Sequence, residues 1–261
     1  NGVGVFVGGL LIASYGWPAL FFVFGVLSML WLVPWSLAKR PEPLHGAPDM
    51  AAAPPPGLAE MLGKREMWGA MVGHFCGNYG YFLVLSWLPL FLVKQQGFAI
   101  TTMAWLGGGV YLIASVSGIL AARLTDGLIV AGRDASTVRK TMVLLSGVVG
   151  VSCLLACASG SPALAVAGLL GYGLANGLGF FSIFSIGQTL AGPRAAGQWI
   201  GLQNGCAGIS GVISPVVTGY SIDATGDYRF AFALAAAVTV IGMTCWGLII
   251  RRIEPIKWRN G

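Results

Sequence analysis

From Thr141 to Pro193 no side chain carries a formal charge, and this is only the longest of several such stretches in the chain. The uncharged runs cover residues 1–38, 67–93, 95–122, 141–193, 195–222 and 230–250. A bilayer core about 30 Å thick is crossed by roughly 20 apolar residues of helix, because a helix satisfies its own backbone hydrogen bonds where water is absent. The runs 1–38 and 141–193 are each interrupted by a cluster of turn-forming residues, Ser14-Tyr15-Gly16-Trp17-Pro18 and Ser159-Gly160-Ser161-Pro162. Cutting there gives eight candidate spans, the first of them short. A closed β-barrel, the other spanning solution, alternates polar and apolar residues along strands of about ten. Continuous apolar runs exclude it, so the chain reads as an all-α polytopic membrane protein.

Composition and charge placement agree. Charged residues make up 9% of the chain, against about 25% in a soluble domain. The net charge of +6 does not point to nucleic acid, because the basic residues sort by membrane side. With spans alternating in direction, Lys39, Arg40, Lys64, Arg65, Arg123, Arg133, Arg139, Lys140, Arg194, Arg251, Arg252, Lys257 and Arg259 fall on one face, and only Lys94 and Arg229 on the other. The positive-inside rule makes the richer face cytoplasmic and puts the C-terminus there. The expected location is the plasma (inner) membrane, with the lipid bilayer as a partner.

Five cysteines, Cys76, Cys153, Cys157, Cys206 and Cys245, lie inside apolar runs. Cys153 and Cys157 share a helix face, but no His or acidic residue is in register to complete a tetrahedral metal site. They read as small buried side chains, and neither a metal nor a cofactor is expected. The chain begins with Asn1 already inside a glycine-rich apolar segment, with no charged n-region and no cleavage site, which does not fit a signal peptide. The expectation is a chain that lacks its N-terminal part.

The domain reading follows from the one substantial hydrophilic segment. Residues 1–38 hold two spans, the first truncated; 39–66 is a cytoplasmic linker rich in proline (Pro41, Pro43, Pro48, Pro54, Pro55, Pro56); 67–250 is a six-helix transmembrane bundle; and 251–261 is a cytoplasmic tail. Within the linker, Leu58 to Arg65 suits a short amphipathic surface helix. The six spans are expected at about 67–93, 101–122, 141–158, 163–190, 198–221 and 230–250.

Polar residues at membrane depth are costly and therefore informative. Every Asn, Gln and His inside a span falls in the third (His74, Asn78), the sixth (Asn176, Gln188) or the seventh (Gln198, Gln203, Asn204). Those three helices are expected to line a wet path, with the fourth (Tyr111, Ser115, Ser117) contributing. The sixth is also narrow, and Gly173-x-x-x-Gly177 suits close helix packing, while Pro89 and Pro215 in neighbouring spans suit bending.

Several motifs carry a family resemblance. Asn78-Tyr79-Gly80-Tyr81 followed by Trp87-Leu88-Pro89-Leu90-Phe91-Leu92 resembles the seventh transmembrane helix of the anion:cation symporter family within the major facilitator superfamily. Gln188-Thr189-Leu190-Ala191-Gly192-Pro193, then Gly201-Leu202-Gln203-Asn204 and Ser214-Pro215 with Gly219, resembles the region of its helices ten and eleven. Gly4, Gly8 and Gly9 before Gly16-Trp17 and Phe21 resemble the end of its fifth helix, so the chain would cover helices five to twelve: the superfamily's C-terminal six-helix bundle plus the last two helices of its N-terminal bundle. Arg123-Leu124-Thr125-Asp126 with Gly132 and Arg139-Lys140 is similar to the superfamily's cytoplasmic loop signature, with Ala122 and Gly127 departing from it. A second departure is Gly208, where relatives often place an asparagine.

The resemblance implies a secondary transporter of small organic anions, sugar acids such as hexuronates, aldonates or aldarates, coupled to a proton or another cation and working by alternating access; the alternative is a superfamily transporter of another substrate class, such as a sugar phosphate or a drug, or a non-transporting membrane sensor. It implies substrate-binding side chains at Asn78, Tyr81, Ser182, Ser185, Asn204 and Ser210, and a gating latch in which Asp126, at a helix N-terminus, pairs with Arg139 and Lys140. No span contains Asp, Glu, Lys or Arg at depth. If the family mechanism applies, the arginine for the anion and the acidic residue for protonation lie in the first four helices, and the chain alone is expected not to transport. His74 is the one titratable alternative within the spans and the candidate proton relay. No two acidic residues, and no His with an acidic partner, share a membrane level, which argues against an intramembrane enzyme.

Overall fold

The structure is a computed structural model that describes residues 4, 7–8, 11, 14–38 and 55–259. The chain divides into two compact units, Asn1–Met50 and Ala51–Gly261. In the first unit α1 (Trp17–Met29) and α2 (Leu32–Leu37) form one apolar stretch, Trp17–Leu37. The breaker cluster acts as its composition suggests: Pro18 sits in the first turn of α1, where a missing N–H costs nothing. The short first span of the sequence reading lies mostly outside the described residues.

The second unit holds α3 (Leu58–Leu62), α4 (Arg65–Leu90, continued by a π-helical turn Phe91–Gln95), α5 (Ile100–Val130), α6 (Ala135–Ala158), α7 (Pro162–Ala191), α8 (Ala196–Thr225) and α9 (Arg229–Thr244, continued by a π-helical turn Cys245–Ile249). Among the described residues, seven helical stretches are long and apolar enough to cross a membrane, six of them in this unit. Apolar faces such as Leu112, Val116, Ile119 and Leu120 on α5 are exposed, which suits a surface whose solvent is lipid. In lipid, burying an apolar side chain gains little, so close approach and interhelical hydrogen bonds hold the helices together.

The close approaches are visible at glycines. A Cβ at Gly173 would meet the backbone of Val110, and one at Gly177 the Ala114 carbonyl and the Gly118 amide, so α7 lies directly on α5. The small-x-x-x-small pattern of α7 is thus a packing device. A Cβ at Gly168 would meet the Cys153 carbonyl on α6, and Ser146 of α6 donates to the Ala175 carbonyl of α7 at 2.7 Å. Helix α4 is joined to α8 along its length: Ser214 Oγ donates to the Tyr79 carbonyl at 2.8 Å, and Trp87 Nε1 to the Pro215 carbonyl at 3.2 Å. Helix α9 packs between α4 and α6.

Two observations correct the sequence reading. Residues 123–130, read as the start of a loop, continue α5 to Val130. Charges do not end a helix when they project from it, and Arg123 and Asp126 are exposed. The turn comes at Gly132, whose φ of 87° suits glycine, followed by Asp134, which caps α6 by accepting from the Thr137 N–H at 2.7 Å and its hydroxyl at 2.6 Å.

The segment after Ile250, read as a tail, packs on the bundle. Ile250 and Ile253 are buried with Met61, Met67, Trp199 and Trp246. The Ile256 N–H donates to the Leu190 carbonyl at 2.9 Å, and Trp258 Nε1 to the Ala191 carbonyl at 2.9 Å. These are last-turn carbonyls of α7 that have no partner inside their own helix. Further bonds join the Ile253 N–H to Ser136 Oγ at 3.0 Å and the Arg259 N–H to Glu60 Oε1 at 2.7 Å, while Lys64 lies 5.6 Å over the Trp258 ring. One strand of chain therefore ties α3, α4, α6 and α7 at the basic end of the bundle, and α3 and the start of α4, read as linker, belong to the same assembly.

Candidate functional site

Midway along the bundle, α4, α6, α7 and α9 enclose a cavity of about 100 Å³. Glycine leaves the room: Gly73 and Gly77 on α4, Gly147 and Gly150 on α6 and Gly242 on α9 all line it. Its polar lining comes from His74, Asn78, Ser146, Tyr172, Asn176 and Thr239, and among the described residues no Asp, Glu, Lys or Arg lines it. Ser146, Asn176 and Thr239 each donate to a helix carbonyl; their acceptor oxygens keep bonding capacity.

His74 is fixed from two sides. Its Nδ1 lies 3.4 Å from Gln203 Nε2 on α8, and its ring meets the edge of Phe184 on α7 at 5.4 Å between centroids. Gln203 is fully buried, and among the described residues its Oε1 has no hydrogen-bond partner. With the amide donating, Nδ1 accepts and the ring proton sits on Nε2. An imidazole held this way, on the wall of a polar cavity, can carry and pass a proton.

The six expected substrate residues separate. Asn78 lines the cavity and is half-buried. Tyr81, also half-buried, stacks edge-on with Phe82 at 5.4 Å. Ser185 is half-buried and Asn204 exposed. Ser182 and Ser210 are buried, and Ser210 Oγ donates to the Ala207 carbonyl at 2.6 Å. Ser210 lies on the buried face of α8 with Gln203, Ala207 and Ser214, whereas Asn204, about 100° around the helix from Gln203, is exposed. Sequence reasoning missed Ser146, Tyr172 and Thr239. The available signal was the coincidence of glycines on one face of α6 with polar residues a turn away.

The three gating residues do not meet as a latch. Asp126 sits in the last turns of α5, not at a helix N-terminus, and among the described residues it makes no ion pair. Arg139 donates to Thr189 Oγ1 at 2.8 Å, and Thr189 in turn to the Ser185 carbonyl at 2.8 Å. Lys140 donates to the Gly247 and Arg251 carbonyls at 3.0 and 3.1 Å, closing the end of α9. The helix-terminal acid is Asp134, whose bonds to Thr137 hold its carboxyl below the usual carboxylate range.

The family model described as Major Facilitator Superfamily matches residues 1–207 and 127–261. The chain belongs to the Major Facilitator Superfamily. This superfamily member is therefore a multi-pass membrane protein of a transporter family, not of an enzyme family. It is 30% identical to a probable anion transporter 1, chloroplastic, of Oryza sativa subsp. japonica, over 92% of this chain and 48% of that protein. It is 28% identical to an ascorbate transporter, chloroplastic, of Arabidopsis thaliana, over 92% of this chain and 47% of that one. A voltage-gated purine nucleotide uniporter of Mus musculus is 25% identical over 91% of this chain and 54% of its own length. The chain thus spans about half the length of these curated relatives. Among solved structures, a bacterial homolog of the human lysosomal transporter Spinster, in an inward-facing and occupied conformation, aligns with a TM-score of 0.59 at 14% identity, covering 95% of this chain and 64% of that one. That likeness concerns the fold alone.

Proposed function

We propose that the protein to which this chain belongs is a secondary transporter of small organic anions, of the sugar-acid class, coupled to protons and working by alternating access of two six-helix halves. The observation that carries this reading is a polar, charge-free cavity inside an apolar bundle, in a superfamily member similar to anion transporters. Neutral donors and acceptors at Asn78, Tyr81, Ser185 and Asn204 suit the hydroxyls of a sugar acid, at about 0.6–2 kcal/mol per intramembrane hydrogen bond. His74 is the proton-carrying group of this bundle. Arg139 and Lys140 brace the helix ends on the basic side, and that side faces the cytoplasm of a plasma (inner) membrane.

A second reading has the same fold moving another anion. One relative's name gives a sodium-dependent phosphate transport protein, and another's a purine nucleotide uniporter. The test is uptake of radiolabelled gluconate, glucuronate, phosphate and ATP by cells expressing the full-length protein, with and without a protonophore. Protonophore-sensitive uptake of one sugar acid, made insensitive by His74→Gln, is the expected result. Uptake of phosphate or ATP alone overturns the sugar-acid assignment.

A further inference from the structure

We propose that the cavity between α4, α6, α7 and α9 is a specificity pocket that takes the uncharged, hydroxyl-bearing end of the anion, so that the carboxylate is left outside this bundle. The inference rests on the organic-anion reading above and adds an orientation and a selectivity to it.

The pocket opens on the exposed side of the bundle. Gly77 and Phe180 line it and are themselves exposed, Phe180 to 54%, and nothing lies within 4 Å of where a Cβ on Gly77 would sit. Its buried lining includes Trp246 and Gly150. The pocket's 100 Å³ exceeds the roughly 10–15 Å³ that one water needs, so it admits several hydroxyl-sized groups.

Charge decides which end. Among the described residues no cation lines the pocket, and a carboxylate carried into it would lose its hydration with no opposite charge from them to replace it. Hydroxyls would instead meet the Asn78 and Asn176 amides, the Ser146 hydroxyl and the His74 ring. A purely hydrocarbon end would strand these same groups, so the pocket selects hydroxyls over methylenes as well as neutral over charged. A site built to bond a hydroxyl rejects an analogue lacking it far more strongly than an apolar slot rejects an extra one.

The experiment is calorimetric titration of the purified full-length protein with gluconate, with hexanoate (the same carbon count without hydroxyls) and with inorganic phosphate. Wild type is compared with Gly150→Ala and Gly77→Leu. A Cβ at Gly150 would stand 3.8 Å from Tyr172 and Ala175, ordinary contact, and Gly77 faces open space, so both variants keep their packing while one shallows the pocket and the other narrows its mouth. Melting temperatures within a few degrees of wild type confirm this.

The expected result is gluconate binding at least about tenfold tighter than hexanoate, with each variant weakening gluconate about tenfold, roughly the loss of two hydrogen bonds, and leaving hexanoate within about twofold. Gluconate binding that is unaltered in both variants, or lowered in step with hexanoate, overturns the pocket while sustaining the organic-anion reading; the cavity then holds only water. Binding of phosphate alone, or of no probe, overturns the reading and the pocket with it.

Discussion

Lys140 and Gln203 are both polar side chains turned into the bundle, and their surroundings differ. Lys140, at the basic end, donates to the carbonyls of Gly247 and Arg251. Around it Arg139, Trp258 and the backbone of Ile253 and Ile256 are likewise committed to other elements. Gln203, two turns into α8, approaches His74 at 3.4 Å, and its Oε1, turned toward Gly187 of α7, has no hydrogen-bond partner among the described residues. Polar groups at the end fasten helices, as Ser146 and Ser214 do deeper in the bundle; Gln203 differs in leaving an acceptor oxygen over. A charge near the membrane boundary, such as Lys140, here serves as a helix fastener.

The comparison can be broken at its strongest point first. Removing residues 251–261 takes away the buried Ile253 and the partners of the Leu190 and Ala191 carbonyls, and is expected to cost about 3 kcal/mol or more. A truncated full-length protein melting within a degree of wild type in detergent would show that the segment is no fastener. Lys140→Met keeps the aliphatic stem but strands two carbonyls, with an expected loss of about 2 kcal/mol, read from the same melting curves. The middle should respond in the opposite way. Replacing His74 and Gln203 together by Leu removes an imperfectly paired set, so stability should change by less than about 1 kcal/mol, while protonophore-sensitive uptake is lost. A large loss of stability in that double variant would place these residues with the fasteners.

The smallest effect concerns Asp134, which is fully exposed. Its carboxyl is held below the ordinary range of about 4 by its bonds to Thr137. The folded state therefore favours the ionised form, and the contribution is complete above the unfolded value and fades as pH falls through the folded one. The gap in melting temperature between wild type and Asp134→Ala should be full at neutral pH and close in acid. A gap that does not change with pH would assign the cap's effect to helix geometry alone.

Much of the fold was legible because lipid imposes one rule along the whole chain. Each expected span of the bundle corresponds to a helix, and the glycines of α7 pointed to close packing that the structure displays against Val110 and Ala114. Helix ends were harder to read. Arg123 and Asp126 suggested a loop, yet they project from a continuing helix, and the real stop is Gly132 with the cap at Asp134. The pattern Asp134-Ala-Ser-Thr137 carried that signal. Ile253, Ile256 and Trp258 follow two arginines and looked like the start of a polar tail, because what buries them comes from four distant elements. The polar helices pointed to the middle of the bundle, but a list of depths could not tell Ser210, turned into the α8 packing face, from the exposed Asn204.

That last pair gives the most direct test of the central claim, that exposed neutral amides on this bundle bind an organic anion. Uptake of the best sugar acid is measured in cells expressing the full-length protein as wild type, Asn204→Ala or Ser210→Ala, at matched membrane abundance. The expected result is a fall of about tenfold for Asn204→Ala, with Ser210→Ala within about twofold of wild type. Full uptake by Asn204→Ala, or equal losses in the two variants, would contradict the account.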